Sequence, residues 1–106
     1  MKKNKINPDL RQIIEVDKLI HEPARIAILS LLSVVDSADF LFIMNHTGLT
    51  QGNLSSHLTK LEDASMIKII KSFQGKKPHT TIELTKKGKE KFENYLSSLK
   101  GFLGNI

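Results

Sequence analysis

The sequence predicts a mainly α-helical protein with a small β-hairpin, built from about five helices and two strands. Apolar residues recur three and four positions apart over most of the chain, which is the spacing of one helix face. After the middle of the chain the pattern changes to alternation, which is typical of a strand, and then returns to helical spacing. With 106 residues and no long linker, residues 1–106 are expected to form a single domain.

The first two predicted helices are separated by a proline. Asn7-Pro8-Asp9 supplies a capping side chain, a residue suited to a first turn, and an acid at the positive end of the helix dipole. A helix from residue 8 to about residue 20 is therefore expected. Glu22-Pro23 ends that helix and starts a second one, because proline is tolerated in a first turn but not in a helix interior. Asp36-Ser37 is then predicted to be a turn.

A tight turn is predicted to join the next two helices. The short third helix should end near Gly48, because glycine suits a left-handed terminator. Thr50 caps the fourth helix, residues 50–64, whose three leucines share one face that is expected to pack inward. The apolar positions are Phe40, Leu41, Ile43 and Met44 in the third helix and Leu54, Leu58 and Leu61 in the fourth.

A hairpin and a last helix complete the predicted fold. The segment MIKIIKSF is short and rich in isoleucine, and TTIELT alternates apolar and polar residues, so both are expected to be strands. Gly75 and Pro78 interrupt the chain between them, which predicts a turn over QGKKPH, residues 74–79, with a lysine-bearing tip. Thr85 caps the last helix, predicted from residue 86 to about residue 103.

The excess of positive charge is concentrated in one segment. The chain has a net charge of +5, and residues 66–91 hold eight lysines against two glutamates. Residues 1–65 hold seven basic and eight acidic groups. A segment of this kind is expected for binding a polyanion, although a lysine-rich solubilising surface has the same composition.

Composition argues against several classes of function. The chain has no cysteine, which excludes disulfides, thiolate metal sites and cysteine nucleophiles. We recognise no paired carboxylates, no Ser/His/Asp constellation and no phosphate-binding loop, so we expect no catalytic residues and no enzyme activity. Neither a signal peptide nor a membrane span is recognisable, and the expected location is cytoplasmic. No metal or cofactor is expected, since the four histidines His21, His46, His57 and His79 lack ligand spacing.

The second, third and fourth predicted helices, followed by a two-stranded hairpin, have the order of a winged helix-turn-helix. In such a unit the second helix of the pair, the recognition helix, enters the major groove of DNA, where amides, hydroxyls and lysine meet base edges or phosphates. A solvated helix face looks similar, and the adjacent lysine-bearing hairpin is what favours DNA. The predicted DNA-binding residues are Gln51, Asn53, Ser55, Ser56, Thr59 and Lys60 in recognition helix 50–64, and Lys76 and Lys77 in the wing, residues 73–79.

Three segments resemble the ArsR- and MarR-type winged-helix regulators. HEPARIAILSLL (21–32) looks like their opening helix, and TGLTQGNLSSHLTKLEDASMI (47–67) is similar to their turn and recognition helix. GKKPHTTIELTKKGKEKF (75–92) looks like their wing and the T-x-x-G segment that leads into the next helix. The resemblance implies a dimeric, DNA-binding transcriptional regulator. Ser65 departs from it, because the family usually has glycine near this position, and serine must finish the helix differently or accept a strained turn.

Two points stay open in the sequence. His57 borders the leucine face, either as a pH switch or phosphate contact, or as a half-buried histidine held by a carbonyl or by neighbouring side chains. The chain can also be a winged-helix module for protein–protein interaction, whose binding would not weaken steeply with salt as DNA binding does.

A homodimer is expected, because so small a domain is not expected to bury the whole apolar seam of its last helix, and because a two-fold pair reads two DNA half-sites. Residues 6–20 and 86–106 of both subunits should pack together, the alternative being a last helix that packs on its own core. The predicted interface residues are Leu10, Ile13, Ile14, Phe92, Leu96, Leu99 and Leu103.

Overall fold

The structure, a computed structural model, describes the backbone of residues 18–104 and the side chains of residues 18–101. Residues 18–20 are helical, and the rest of the predicted first helix lies outside this part of the chain. The predicted fold class, mainly helical with a small sheet, is confirmed. The elements are α1 (Pro23–Val35), β1 (Ser37–Asp39), α2 (Phe40–Thr47), α3 (Gln51–Asp63), β2 (Ile67–Gln74), β3 (Lys77–Leu84) and α4 (Lys86–Gly104).

The sheet has three antiparallel strands in the order β1-β3-β2, one more than the sequence predicted. Ser37, predicted to be part of a turn, begins β1, which pairs with β3 over three residues. Asp36 has a φ of 67° and turns the chain out of α1, and its carbonyl accepts a hydrogen bond of 2.9 Å from Leu84 N. Three residues are too few to show alternation, so this strand has no signature in the sequence.

The hairpin is longer and its turn tighter than predicted. The register of β2 and β3 runs without a break from Ile67 opposite Leu84 to Gln74 opposite Lys77. The turn therefore consists of Gly75, whose φ is 66°, and Lys76. Pro78 is tolerated inside β3 because β1 pairs only with residues 81–83, which leaves the proline on the two-stranded part of the hairpin.

The core is aliphatic apart from two aromatic rings contributed by α4. It lies between the helices and the inner face of the sheet, and it draws on α1, α2, α3, both long strands and α4. The buried apolar residues are Ile20, Ile28, Leu29, Leu32, Ile43, Leu54, Leu58, Leu61, Met66, Ile67, Ile82, Phe92 and Tyr95.

The T-x-x-G segment fastens α4 to the end of α3. The Thr85 hydroxyl lies within donating distance of two carbonyl oxygens, Ser65 O at 2.7 Å and Met66 O at 2.9 Å. Its oxygen accepts a hydrogen bond of 2.9 Å from Gly88 N. Gly88 packs so closely that a Cβ there would lie 2.0 Å from Met66 O. Ser65 itself has a φ of 62°, so the serine that replaces the expected glycine does adopt a strained left-handed turn.

Candidate nucleic-acid interface

The rotation of α3 about its own axis is set by three buried leucines. Leu54, Leu58 and Leu61 all pack into the core, and even the most accessible of them is only 2% exposed. Because residues three and four apart share one helix face, the opposite face of α3 must point away from the body. The sequence prediction for this helix is confirmed, with α3 at Gln51–Asp63 and Thr50 as its N-cap.

The turn before α3 is made by a glycine and two threonines. Gly48 has a φ of 74°, and its N–H donates to Met44 O at 2.9 Å, which ends α2. The Thr47 hydroxyl donates to Ile43 O at 2.8 Å, and Thr50 Oγ1 accepts a hydrogen bond of 3.2 Å from Asn53 N. Since the chain passes from one helix to the next in three residues with these groups satisfied, the two helices have a fixed mutual orientation.

The outward face of α3 carries every residue that the sequence predicted for it. Five of the six side chains offer an amide or a hydroxyl, and the sixth is a lysine. The Thr59 hydroxyl donates to Ser55 O at 3.0 Å, which leaves its oxygen free to accept. Gln51, Asn53, Ser55, Ser56, Thr59 and Lys60 are all exposed.

Beneath this face, a buried arginine joins α3 to the start of α1. Arg25 is only 9% exposed. Its Nε donates to Leu19 O, and its Nη1 donates to His57 Nδ1 at 3.0 Å. Because arginine has no acceptor, His57 Nδ1 must accept, which places the proton of the neutral ring on Nε2. Of the two interpretations of His57, the structure shows the half-buried histidine held by a neighbouring side chain.

Glu22 completes this cluster. Its Oε1 accepts a hydrogen bond of 2.9 Å from Arg25 N and lies 3.9 Å from His57 Nδ1. The hydrogen bond from the Arg25 backbone N–H lowers the pKa of the Glu22 carboxyl below its ordinary value. Sequence reasoning did not find Arg25, although a lone arginine in an otherwise apolar helix was a usable signal, since a buried charge requires partners.

The hairpin is attached to α3 at its base and free at its tip. Glu62 on α3 accepts a hydrogen bond of 3.1 Å from Ile69 N on β2 through its Oε2. Lys76 and Lys77 are exposed at the tip, as predicted, although Lys77 belongs to β3 rather than to the turn. The hairpin therefore extends the lysines away from the body while its base keeps a fixed relation to α3.

A cleft separates α3 from the hairpin. It encloses about 330 Å³ and is bordered on one side by polar residues of α3 and on the other by the two strands. Lys71 and Thr80 lie opposite each other in the strand register and line it, and neither was predicted from the sequence as a contact residue. Only the alternation along β2 and β3 could have indicated them in the sequence. It places Lys71 and Thr80 on the same face of the hairpin as Ile69 and Ile82, one residue pair closer to the turn. The lining residues are Phe40, Gln51, Ser55, Leu58, Thr59, Ile69, Lys71 and Thr80.

The predicted dimer residues occupy three different environments. Phe92 is buried in the core of its own chain, Leu99 is half-buried against that core, and Leu96 is 43% exposed. Leu10, Ile13 and Ile14, together with the side chain of Leu103, lie outside the described residues. The surface that the described part of α4 offers to another subunit is thus centred on Leu96.

The described residues 18–104 contain neither a metal-holding cluster nor a membrane-spanning helix. No three histidine or acidic side chains within this range are grouped so that they could hold a metal ion. No helix in the same range is both long enough and apolar enough to cross a membrane.

A helix-turn-helix with an outward polar face, beside a lysine-bearing hairpin, defines the class of winged-helix DNA-binding proteins. The model of the winged helix DNA-binding domain family matches residues 24–103, and the chain belongs to that family.

Individual relatives agree with this assignment. An uncharacterized protein of Methanocaldococcus jannaschii is 33% identical over 89 residues, which cover 84% of this chain and 97% of the relative. The solved structure of a transcriptional regulator homologue from Pyrococcus horikoshii OT3 has a TM-score of 0.83 at 31% identity, covering 93% of this chain and 97% of its own. A MarR-family protein from Porphyromonas gingivalis W83 has a TM-score of 0.71 at 14% identity, covering 97% and 100%. The predicted resemblance to ArsR- and MarR-like winged-helix proteins is confirmed.

Proposed function

We propose that the protein is a transcriptional regulator that binds double-stranded DNA, with α3 in the major groove and the hairpin tip on the backbone or minor groove. The observation that carries this proposal is the cleft, in which the outward polar face of α3 and Lys71 of the hairpin border the same space. The family assignment and the similarity to the Pyrococcus regulator homologue support it.

The two sides of the interface are suited to different parts of DNA. Amide side chains such as Gln51 and Asn53 can form paired hydrogen bonds with adenine, and serine and threonine hydroxyls can pair with several base edges. Lysine ammonium groups on the hairpin interact with phosphates irrespective of sequence. We therefore assign sequence preference to α3 and most of the non-specific affinity to the hairpin.

Binding to duplex DNA as a function of salt tests the hairpin assignment. The Lys76→Ala, Lys77→Ala double variant should bind all sequences more weakly, and the slope of log affinity against log salt should become shallower by about 1.8, since each phosphate contact contributes about 0.9. Lys100→Ala, which removes an exposed charge near the far end of α4, is the control and should leave the slope unchanged. Wild-type protein that binds no duplex even at low salt, or whose only binding is insensitive to salt, would favour the protein-interaction alternative.

Selection of bound sequences from random duplexes tests the recognition helix. Asn53→Ala or Ser56→Ala should change the preferred sequence, with each lost base contact costing about 1–3 kcal/mol of discrimination. An unchanged preference in both variants, with affinity reduced equally for all sequences, would contradict the major-groove assignment.

The same proposal includes a homodimer in which residues 6–20 and 86–106 of two subunits pack together. Its support is Leu96, a leucine on α4 that is 43% exposed among the described residues, and the half-buried Leu99 three residues further on. Size-exclusion chromatography with light scattering should show a dimer for the wild type and a monomer for Leu96→Glu. The matched control is Ser97→Glu, an exposed neighbour on another side of the helix. A wild type that is monomeric at micromolar concentration contradicts the dimer.

A further inference from the structure

The hairpin tip carries an exposed aromatic side chain that the lysine-based account of the wing does not use. Phe73 is 72% exposed near the end of β2. Its partner in the strand register is Pro78, which is also exposed. Two apolar side chains directly across from each other form one small apolar surface, separated from the turn by one residue pair.

This apolar pair lies on the same face of the hairpin as the cleft. Residues directly opposite in an antiparallel pair share a face, and alternate residues along a strand share it too. Ile69 with Ile82, Lys71 with Thr80, and Phe73 with Pro78 are therefore successive pairs on one face. The first pair packs in or against the core and the second lines the cleft beside α3. The Phe73–Pro78 pair continues this row outward, beyond the cleft.

The shape of the tip is that of a narrow ribbon. β1 pairs with β3 only at residues 81–83, so from residue 80 to the turn the hairpin has two strands. The turn is only two residues long, and the proline restricts the backbone beside it. A ribbon of this kind presents the ring of Phe73 on paired strands instead of on a long loop.

The charge around the pair indicates what can cover it. Lys71 lies on the same face two residues before Phe73, and Lys76 lies in the turn. Lys77 and His79 flank Pro78 in the sequence and lie on the other face. Glu83 lies at the base of the hairpin opposite Lys68. Asp39 lines a second pocket together with Lys77 and Pro78, and its Oδ1 accepts a hydrogen bond from Phe42 N. An apolar centre with a cationic rim matches a groove of duplex DNA, which has sugar and base edges inside and phosphates on both sides.

We propose that Phe73 and Pro78 act as an apolar wedge that enters the minor groove next to the major-groove site of α3, while the tip lysines hold the flanking phosphates. The proposal rests on the DNA-binding function proposed above. It adds an indirect form of recognition, because a side chain pressed into the minor groove is accommodated best at flexible pyrimidine–purine steps.

Salt-dependent binding separates the wedge from the lysines. A selected duplex is titrated with wild type, Phe73→Ser and Phe73→Leu over a range of salt concentrations. Phe73→Ser should bind about tenfold more weakly with an unchanged salt slope, since an uncharged ring in the groove releases no counterions. Phe73→Leu should restore most of the affinity, because leucine also serves as a wedge.

The control removes a similar apolar side chain from the other face of the same strand. Ile70 is 41% exposed and lies on the face opposite to Phe73. Ile70→Ser should leave the affinity unchanged, and both serine variants should keep the wild-type unfolding transition.

A second duplex tests the indirect recognition. When the pyrimidine–purine step beneath the wing is replaced by an A-tract, the wild type should lose affinity and Phe73→Ser should not.

Three results would overturn the wedge: equal affinity of Phe73→Ser and wild type, a salt slope that falls in Phe73→Ser as it does in the lysine variant, or an equal loss in Ile70→Ser. Failure of the wild type to bind any duplex would instead refute the proposed function itself.

Discussion

The recognition helix and the hairpin tip both present exposed side chains beside one cleft, but they are supported in different ways. Every outward residue of α3 is positioned by buried leucines on its reverse side, by the Thr50 cap, and by the Glu62 contact with β2. At the tip, residues 72–78 are all exposed, and within the described part of the chain they are held by pairing with the other strand. Discrimination between bases requires side chains in fixed positions, whereas phosphate and groove contacts tolerate local adjustment. The difference in support thus agrees with the proposed division of labour.

The largest expected effect comes from truncating one buried side chain of α3 and one exposed side chain of the hairpin tip, which tests whether the two regions are supported differently. Leu58→Ala should lower the free energy of unfolding by about 2–5 kcal/mol, because it leaves a cavity beneath the recognition helix. Phe73→Ala should change it by less than about 0.5 kcal/mol, because the ring makes little contact with its own chain. Urea denaturation measures both. Comparable losses in the two variants would mean that the tip is part of the cooperative core.

A substitution at Gly88, which packs against Met66, tests how firmly the base of the hairpin is attached to α4. Gly88→Ala should destabilise the fold by about 1–3 kcal/mol, because the new methyl group would overlap a backbone carbonyl and force α4 away from the start of β2. Gly101→Ala, also within α4, meets no atom within 4 Å and should be stabilising by about 0.5–1 kcal/mol. If both substitutions stabilise the protein in thermal unfolding, the close packing at residue 88 is not required.

Removal of the α3 cap has a smaller expected effect. Thr50→Ala loses the hydrogen bond to Asn53 N and should cost about 1 kcal/mol. Ser72→Ala removes a hydroxyl from the exposed hairpin and should change the free energy of unfolding by less than about 0.5 kcal/mol. Denaturant midpoints of the two variants, measured side by side, decide whether local hydrogen bonds matter more in the helix-turn-helix than at the tip.

The smallest expected effect is electrostatic and concerns the cluster beneath α3. The folded-state pKa of Glu22 is lowered, so its ionised form stabilises the folded protein at neutral pH. That contribution is present above the unfolded-state pKa and is lost as the pH falls from about 4.5 through the folded-state value. Wild type should be slightly more stable than Glu22→Gln at pH 7, and the difference should disappear under acid conditions. A difference that grows with acidity in chemical denaturation would contradict this assignment.

Local patterns were sufficient for most of the fold. Gly48, Thr50 and Thr85 were predicted as helix boundaries from their chemistry alone, and each has that role in the structure. The leucine spacing of α3 also predicted which side chains would be exposed, because a helix converts spacing directly into direction. These features depend on neighbours within a few residues along the chain, which is why sequence reasoning reached them.

Contacts between distant segments could not be predicted in this way. β1 exists because residues 37–39 meet β3, and Arg25 is buried because Leu19 O and His57 are brought to it from two other helices. Lys71 and Thr80 lie in the cleft only through the strand register and the position of α3. These partners lie on different helices or strands, so a local pattern cannot predict them.

The amino-acid sequence by itself determined where α1 to α4 begin and end, which face of α3 is apolar, and that the positive charge accumulates in the hairpin and the first turns of α4. The tertiary structure decided the third strand, the buried Arg25–His57 contact, the inclusion of Phe92 in the core of its own chain, and the placement of Phe73 on the cleft side of the wing. The physical reason is range: capping, helical spacing and charge act between near neighbours, whereas burial and strand register are set only when segments far apart in the chain compete for the same space.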